Sequence, residues 1–176
     1  MERSGLCQIF DNSTFACCKN LIPFLANISD LLAKIEGFTF ATAINLNMGY
    51  YNIRLTPDAS SLCTIVTPWG KYKYLRLPMG ISCAPDIFQD RINDLLGDLE
   101  FVRAYLDDLL VLTKGSFEDH LKDLEVVLRR LRDAGLKCNA PKCSFAKQEL
   151  EYLGYIITSE GIKPDPKKIE AILALE

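Results

Sequence analysis

Phe101-Val102-Arg103-Ala104-Tyr105-Leu106-Asp107-Asp108-Leu109-Leu110-Val111-Leu112-Thr113 is the most informative stretch of the chain. Two apolar runs of strand length, Phe101 to Tyr105 and Leu109 to Thr113, flank a pair of adjacent aspartates. Two neighbouring carboxylates cannot be buried unpaired between apolar strands, so they belong at a polar turn. The segment therefore reads as a β-hairpin with acids at its tip. Such a pair is either an ordinary polar turn or a holder for hard, oxygen-seeking cations such as Mg2+, and these residues alone leave both readings open.

On either side of this hairpin the pattern alternates between strand and helix. Ala41 to Leu46 is a short apolar strand interrupted by Asn45. Leu62 to Thr67 and Lys71 to Leu77 flank Pro68-Trp69-Gly70, where Pro and Gly supply turn dihedrals, so a second hairpin is expected. After Pro85, Phe88, Ile92, Leu95, Leu96 and Leu99 recur at helical spacing, with Asp86, Asp90, Asp94 and Asp98 on a solvated face. A longer helix begins at Ser116, with Asp119 as a relative of the capping box, and stops at Gly135. Its stripe of Leu121, Leu124, Leu128 and Leu131 is expected to be buried, with Arg129 and Arg132 in solvent. His120, the single histidine, reads as a surface or half-buried residue with no partner for ligation. Short helices are expected over Ile28 to Ile35 and Pro166 to Leu175, with a strand over Leu150 to Thr158.

Composition sets the outer limits. A chain of 176 residues with 49% hydrophobic and 24% charged side chains is globular and not disordered. Its 20 basic and 23 acidic residues give a net charge of -3, so any nucleic-acid binding must come from a local patch. Seven cysteines (7, 17, 18, 63, 83, 138 and 143) beside one histidine make neither a zinc set nor a disulfide ladder, so they read as reduced thiols, with Cys63 and Cys83 packed. No apolar run reaches membrane-spanning length and no signal peptide is evident, which places the chain inside the cell, cytoplasmic or nuclear. No repeat or linker divides it.

Several of these segments, taken in order, resemble a reverse transcriptase of the gypsy-type LTR retrotransposon class. They are Leu46-Asn47-Met48-Gly49-Tyr50-Tyr51, Leu77-Pro78-Met79-Gly80-Ile81 with Ala84-Pro85 and Phe88-Gln89, Tyr105-Leu106-Asp107-Asp108, Ala134-Gly135-Leu136-Lys137, and Tyr152-Leu153-Gly154-Tyr155. The likeness implies an α+β fold, an antiparallel palm sheet backed by helices, over residues 28–176, with residues 1–27 a divergent remnant of truncated fingers. It implies RNA-directed DNA polymerisation: nucleotidyl transfer from a deoxynucleoside triphosphate to a primer 3′-hydroxyl along an RNA or DNA template. That chemistry uses two divalent ions about 3.5–4 Å apart, held by carboxylates from separate strands.

Residue by residue, the resemblance makes Asp107 and Asp108 catalytic and metal-binding. It assigns nucleotide and template contacts to Tyr50, Leu77, Pro78, Met79, Gly80, Gln89 and Lys137, and the primer-holding hairpin to Tyr152, Leu153 and Gly154. Tyr50 would sit under the sugar and exclude a 2′-hydroxyl, although a packed core tyrosine is equally compatible with the sequence. Where the family has its first catalytic aspartate this chain has Asn45, in Ile44-Asn45-Leu46. A neutral amide cannot bridge two dications, so Mg2+ or Mn2+ should be weakly held and catalysis impaired. Residues 1–27 also lack the family's basic fingers motif, so an intact copy of the element is a candidate partner supplying it. The alternative is a non-catalytic nucleic-acid-binding or protein-interaction module. A phosphoacceptor receiver domain is disfavoured, because it needs parallel strand-helix units and the two inferred hairpins are antiparallel.

Overall fold

The computed structural model describes residues 31–32, 35–164 and 166. Residues 1–27, with Cys7, Cys17 and Cys18, lie outside the described residues, as do the helices expected over 28–35 and 166–175 apart from 31–32, 35 and 166. The chain divides into two compact units, and the described part of the first runs from Met48 to Asp90, with the rest in the second.

The second unit is built on β1 (Phe40–Asn47), a central strand that buries Ala41, Thr42, Ile44 and Leu46. Its antiparallel neighbour is β5 (Asp108–Thr113), in register from Phe40 opposite Thr113 to Asn45 opposite Asp108. On the far side of β5 lies β4 (Val102–Tyr105), with Tyr105 opposite Asp108. The expected hairpin is therefore closed by Leu106 and Asp107 alone. β1 also pairs with the short β6 (Lys137–Cys138) and with β7 (Ser144–Lys147), giving the strand order β4-β5-β1-β6 with β7 off that path on β1. A separate three-stranded antiparallel sheet follows, formed by β8 (Glu149–Tyr152), β9 (Tyr155–Thr158) and β10 (Gly161–Pro164). The single strand expected over 150–158 is thus two strands. Leu153 and Gly154, both at positive φ, turn the chain between them.

Ala41 and Leu110 of the large sheet pack with Leu150, Tyr152 and Ile157 of the small one, together with Leu32, Ile35 and Phe38, in one buried cluster. The long helix Phe117–Asp133 backs β1 and β5. Its start is a complete capping box. The Ser116 hydroxyl accepts from the Asp119 N–H, and the Asp119 carboxylate accepts from the Ser116 N–H.

The buried face of this helix is His120, Leu124, Val127 and Leu131, which differs from the expected leucine stripe. Leu121 and Leu128 are exposed and Leu124 and Leu131 are buried, while Arg129 and Arg132 face solvent as expected. The face is rotated because His120 is fully buried, which also corrects its reading as a surface or half-buried residue. Thr42 Oγ1 lies 2.7 Å from its Nε2 and Thr113 Oγ1 2.9 Å from its Nδ1. Thr113 gives its own hydroxyl proton to Asp123, so it must accept from His120 Nδ1–H, and Nε2 accepts from Thr42. The Thr42 oxygen in turn accepts from the Ala146 N–H. Two threonine hydroxyls on β1 and β5 thus satisfy both ring nitrogens of a neutral imidazole.

The first unit contains a 3-10 turn (Gly49–Asn52), a short helix over Pro57–Leu62, and the hairpin of β2 (Thr64–Thr67) with β3 (Gly70–Lys73). The short helix takes residues from the start of the strand expected at Leu62. Thr56 caps it and Pro57 occupies its first turn. The amphipathic helix Ala84–Leu96 begins in this unit, and Phe88, Ile92 and Leu96 on it are buried. Among the described residues no helix is long and apolar enough to cross a membrane.

Candidate active site

Strand register brings the sequence-predicted acids to residue 45. Asn45 is directly opposite Asp108, and its Nδ2 donates to Asp108 Oδ1 at 2.6 Å. The Leu46 N–H donates to the Asp107 carbonyl at 2.7 Å, tying the turn to the end of β1. Asn45 is itself fixed by its carbonyl, which accepts from the Asn139 N–H at 2.8 Å. Leu106, at the turn, has φ 51, a left-handed conformation uncommon for a bulky side chain.

The two carboxylates differ. Asp108 is held by Asn45, whereas the buried Oδ1 of Asp107 has no hydrogen-bond partner. Burial, with the Asp108 charge beside it, pushes the Asp107 carboxyl above the ordinary range. Tyr152 reaches in from β8, and its hydroxyl donates to the Asp108 carbonyl at 3.0 Å. Burial is the main cause holding that phenol protonated, and the Asp108 charge adds to it.

A cavity of about 500 Å3 opens here, lined by Asn45, Asp108, Lys142, Lys147, Tyr152 and Leu153 among others. Lys142, Ser144, Lys147 and Glu151 were not singled out in the sequence. They reach this cavity through the 3-10 turn Ala140–Lys142, the pairing of β7 with β1 and the packing of β8, none of which leaves a local sequence signal. Lys137 lies opposite Asn47 at the end of β1, and Gly154 completes the turn after Leu153.

The remaining sequence-predicted contacts lie in the first unit. Tyr50 stacks on Phe88 with ring centroids 5.0 Å apart and packs against a buried cluster of Leu77, Cys83, Ala84 and Ile87. Leu77 and Gln89 are buried, Pro78 is buried, and Met79 is exposed beside Gly80, which has φ 92. Cys83 is packed as expected, and Cys63 is half-buried, with burial raising its thiol pKa.

The comparison with known proteins joins this geometry to a family. A profile of the reverse transcriptase (RNA-dependent DNA polymerase) family matches residues 8–157. The chain belongs to the reverse transcriptase family. It is 36% identical over 152 residues to the Retrovirus-related Pol polyprotein from transposon 297 of Drosophila melanogaster, a match covering 85% of this chain and 14% of that protein. Against the Transposon Tf2-3 polyprotein of Schizosaccharomyces pombe it is 36% identical over 156 residues, covering 88% of this chain and 12% of that one. The chain thus spans a small fraction of the polyproteins it matches, and these relatives agree with the retrotransposon class that the motifs implied. The foamy viral protease-reverse transcriptase in complex with an RNA/DNA hybrid superposes with a TM-score of 0.81 at 22% identity, over 89% of this chain and 21% of that one. That likeness confirms the expected mixed fold of helices and antiparallel palm sheet.

The residues present fit one divalent cation better than a bridged pair. The unpartnered Asp107 oxygen and the mutual repulsion of the two carboxylates would both be relieved by a cation. At residue 45, however, the group facing Asp108 is a neutral amide whose N–H points its positive end at that carboxylate and adds no negative charge. Among the described residues no group of three or more histidine, cysteine or acidic side chains converges as a metal site.

Proposed function

We propose that this chain is an RNA-directed DNA polymerase domain whose metal-binding set is one carboxylate short, so that nucleotidyl transfer is impaired. The observation that carries this reading is the Asn45 amide bound to Asp108, at the position that the motif resemblance matches to the family's first aspartate. In the reaction the primer 3′-oxygen bonds to the α-phosphorus of a deoxynucleoside triphosphate. The bond to pyrophosphate breaks, and the hydroxyl proton is lost. Mg2+ or Mn2+, when bound, supplies the positive charge that such a transfer needs.

Asp107 and Asp108 are the residues that would hold the ion. The Tyr152 hydroxyl and the Leu46 N–H position their backbone, and the strained turn at Leu106 presents them. Lys137 is assigned to the phosphates of the triphosphate, Tyr152, Leu153 and Gly154 to the primer, and Tyr50, Leu77, Pro78, Met79, Gly80 and Gln89 to the nucleotide and template. The palm is assigned to residues 28–176. An RNA or DNA template-primer as partner is supported by the RNA/DNA hybrid bound to the foamy viral enzyme. Electrostatic preorganisation dominates such transfers, and loss of one charge should raise the barrier by several kcal/mol.

Primer extension tests the proposal, using the purified chain, Mg2+ or Mn2+, a primed RNA template and all four deoxynucleotides. Extension should be absent or very slow. Rapid extension by the native chain would refute the impairment, and failure to bind template-primer at all would refute the polymerase assignment.

A further inference from the structure

The β2–β3 hairpin has solvent on both faces, an arrangement that a two-stranded ribbon sustains only marginally by itself. Cross-strand register sorts its side chains. Ile65 and Tyr72 share one face, and Val66 shares the other with Lys71 and Lys73. Trp69, the only tryptophan of the chain, sits at the tip and is 84% exposed. The tip is braced internally: Trp69 N–H donates to Thr67 Oγ1, and that hydroxyl donates to the Gly70 carbonyl. Gly70 has φ 143, which an L side chain rarely adopts. The indole is therefore presented by a preformed turn.

Charge identifies the occupant. From Asp58 to Asp86 the sequence has no other acidic residue, in a chain whose net charge is -3. Lys71, Lys73 and Arg76 all fall in that interval, and among the described residues none of the three pairs with a carboxylate. Lys73 Nζ donates to the neutral Ser61 hydroxyl and Arg76 Nη1 to the Asn52 carbonyl, so neither bond is to an acidic group. Exposed aromatic faces beside unneutralised cations match a single nucleic-acid strand, whose bases stack and whose phosphates pair with Lys and Arg. The strands of such a ribbon are only about 5 Å apart, so flexible lysine stems can reach phosphates of a strand whose bases lie on the opposite side.

We propose that the hairpin is a sequence-tolerant platform for single-stranded nucleic acid, with Trp69 and Tyr72 stacking bases and Lys71, Lys73 and Arg76 contacting phosphates. The choice of nucleic acid as the polyanion rests on the polymerase reading, but binding at the hairpin does not depend on catalysis.

The single tryptophan makes this directly measurable. The purified chain is titrated with oligo-dT and oligo-U of about 20 nucleotides, long enough to span one such platform. Tryptophan emission and the anisotropy of the labelled oligonucleotide are followed together at two salt concentrations. Saturable quenching that weakens with salt is expected. By anisotropy, Trp69→Ala should weaken binding about tenfold, and Lys71→Ala should lower the salt slope by about one. Oligonucleotide binding with unchanged emission, or Trp69→Ala binding like the native chain, would overturn the platform. Emission that changes with protein concentration alone, with a dimer lost in Trp69→Ala, would also overturn it by assigning the face to a second copy. Primer extension without quenching sinks the platform and leaves the polymerase reading standing. Rapid extension with quenching intact removes only the catalytic impairment.

Discussion

Asn45 on β1 donates its side-chain N–H to Asp108 on β5, directly across the pairing of the two strands. That bond makes residue 45 a partner of the Asp108 carboxylate in the absence of metal. Asn45→Asp replaces a donor with a like charge at the same distance. Without divalent ions the variant should be less stable than the native chain by about 1–3 kcal/mol. Denaturant unfolding in chelator measures this, and equal stability would mean that the Asn45 to Asp108 bond does not hold.

Tyr152 anchors the same strand from the other sheet through its bond to the Asp108 carbonyl. Tyr152→Phe keeps the ring and leaves that carbonyl without its partner. A loss of about 1–2 kcal/mol is expected from unfolding curves. No loss would separate the β8–β9 hairpin from the support of the acidic turn.

His120 is buried neutral between Thr42 and Thr113, and burial lowers its pKa below the ordinary value, opposed in part by the Asp123 charge. Its lowered folded pKa means that the unfolded chain takes up the proton first as pH falls. The contribution to stability is therefore complete above about pH 6.5 and declines as the pH drops toward the folded pKa. Unfolding free energy should fall as the pH drops below about 6.5, and His120→Gln should flatten that decline. An unaltered pH profile in the variant would assign the decline to the carboxylates.

The long helix offers a contrast between two leucines of one apparent stripe. Leu131→Ala should cost about 2–5 kcal/mol, and Leu121→Ala should lie within about 0.5 kcal/mol of the native chain. Leu131 is 1% exposed and Leu121 47% exposed, so equal costs would contradict the observed helix face.

Local pattern carried the hairpin tips at Pro68-Trp69-Gly70 and Asp107-Asp108 and the start and stop of the helix after Ser116, because turn chemistry and helix signals act over a few residues, whereas the short helix Pro57–Leu62 and the turn at Leu153-Gly154 were not read from it. Asp107, Asp108 and Asn45 were legible as a group through the order of the motifs, and strand register then brought them together. The rotation of the helix Phe117–Asp133 was hidden because a histidine is polar by composition. The hydroxyls of Thr113 and of Thr42, 78 residues away, make its burial favourable. Lys142 and Lys147 were invisible for a similar reason, since their place at the cavity depends on how the turn Ala140–Lys142 and β7 come to lie beside β1.

The central claim is that an amide at residue 45 limits the metal site. Calorimetric titration of Mn2+ or Mg2+ into the native chain and into Asn45→Asp tests it most directly. The native chain should bind weakly, and the variant at least about tenfold more tightly, a gain of about 1.4 kcal/mol from the added charge. Affinity unchanged by the substitution, or tight binding of two ions by the native chain, would contradict the account.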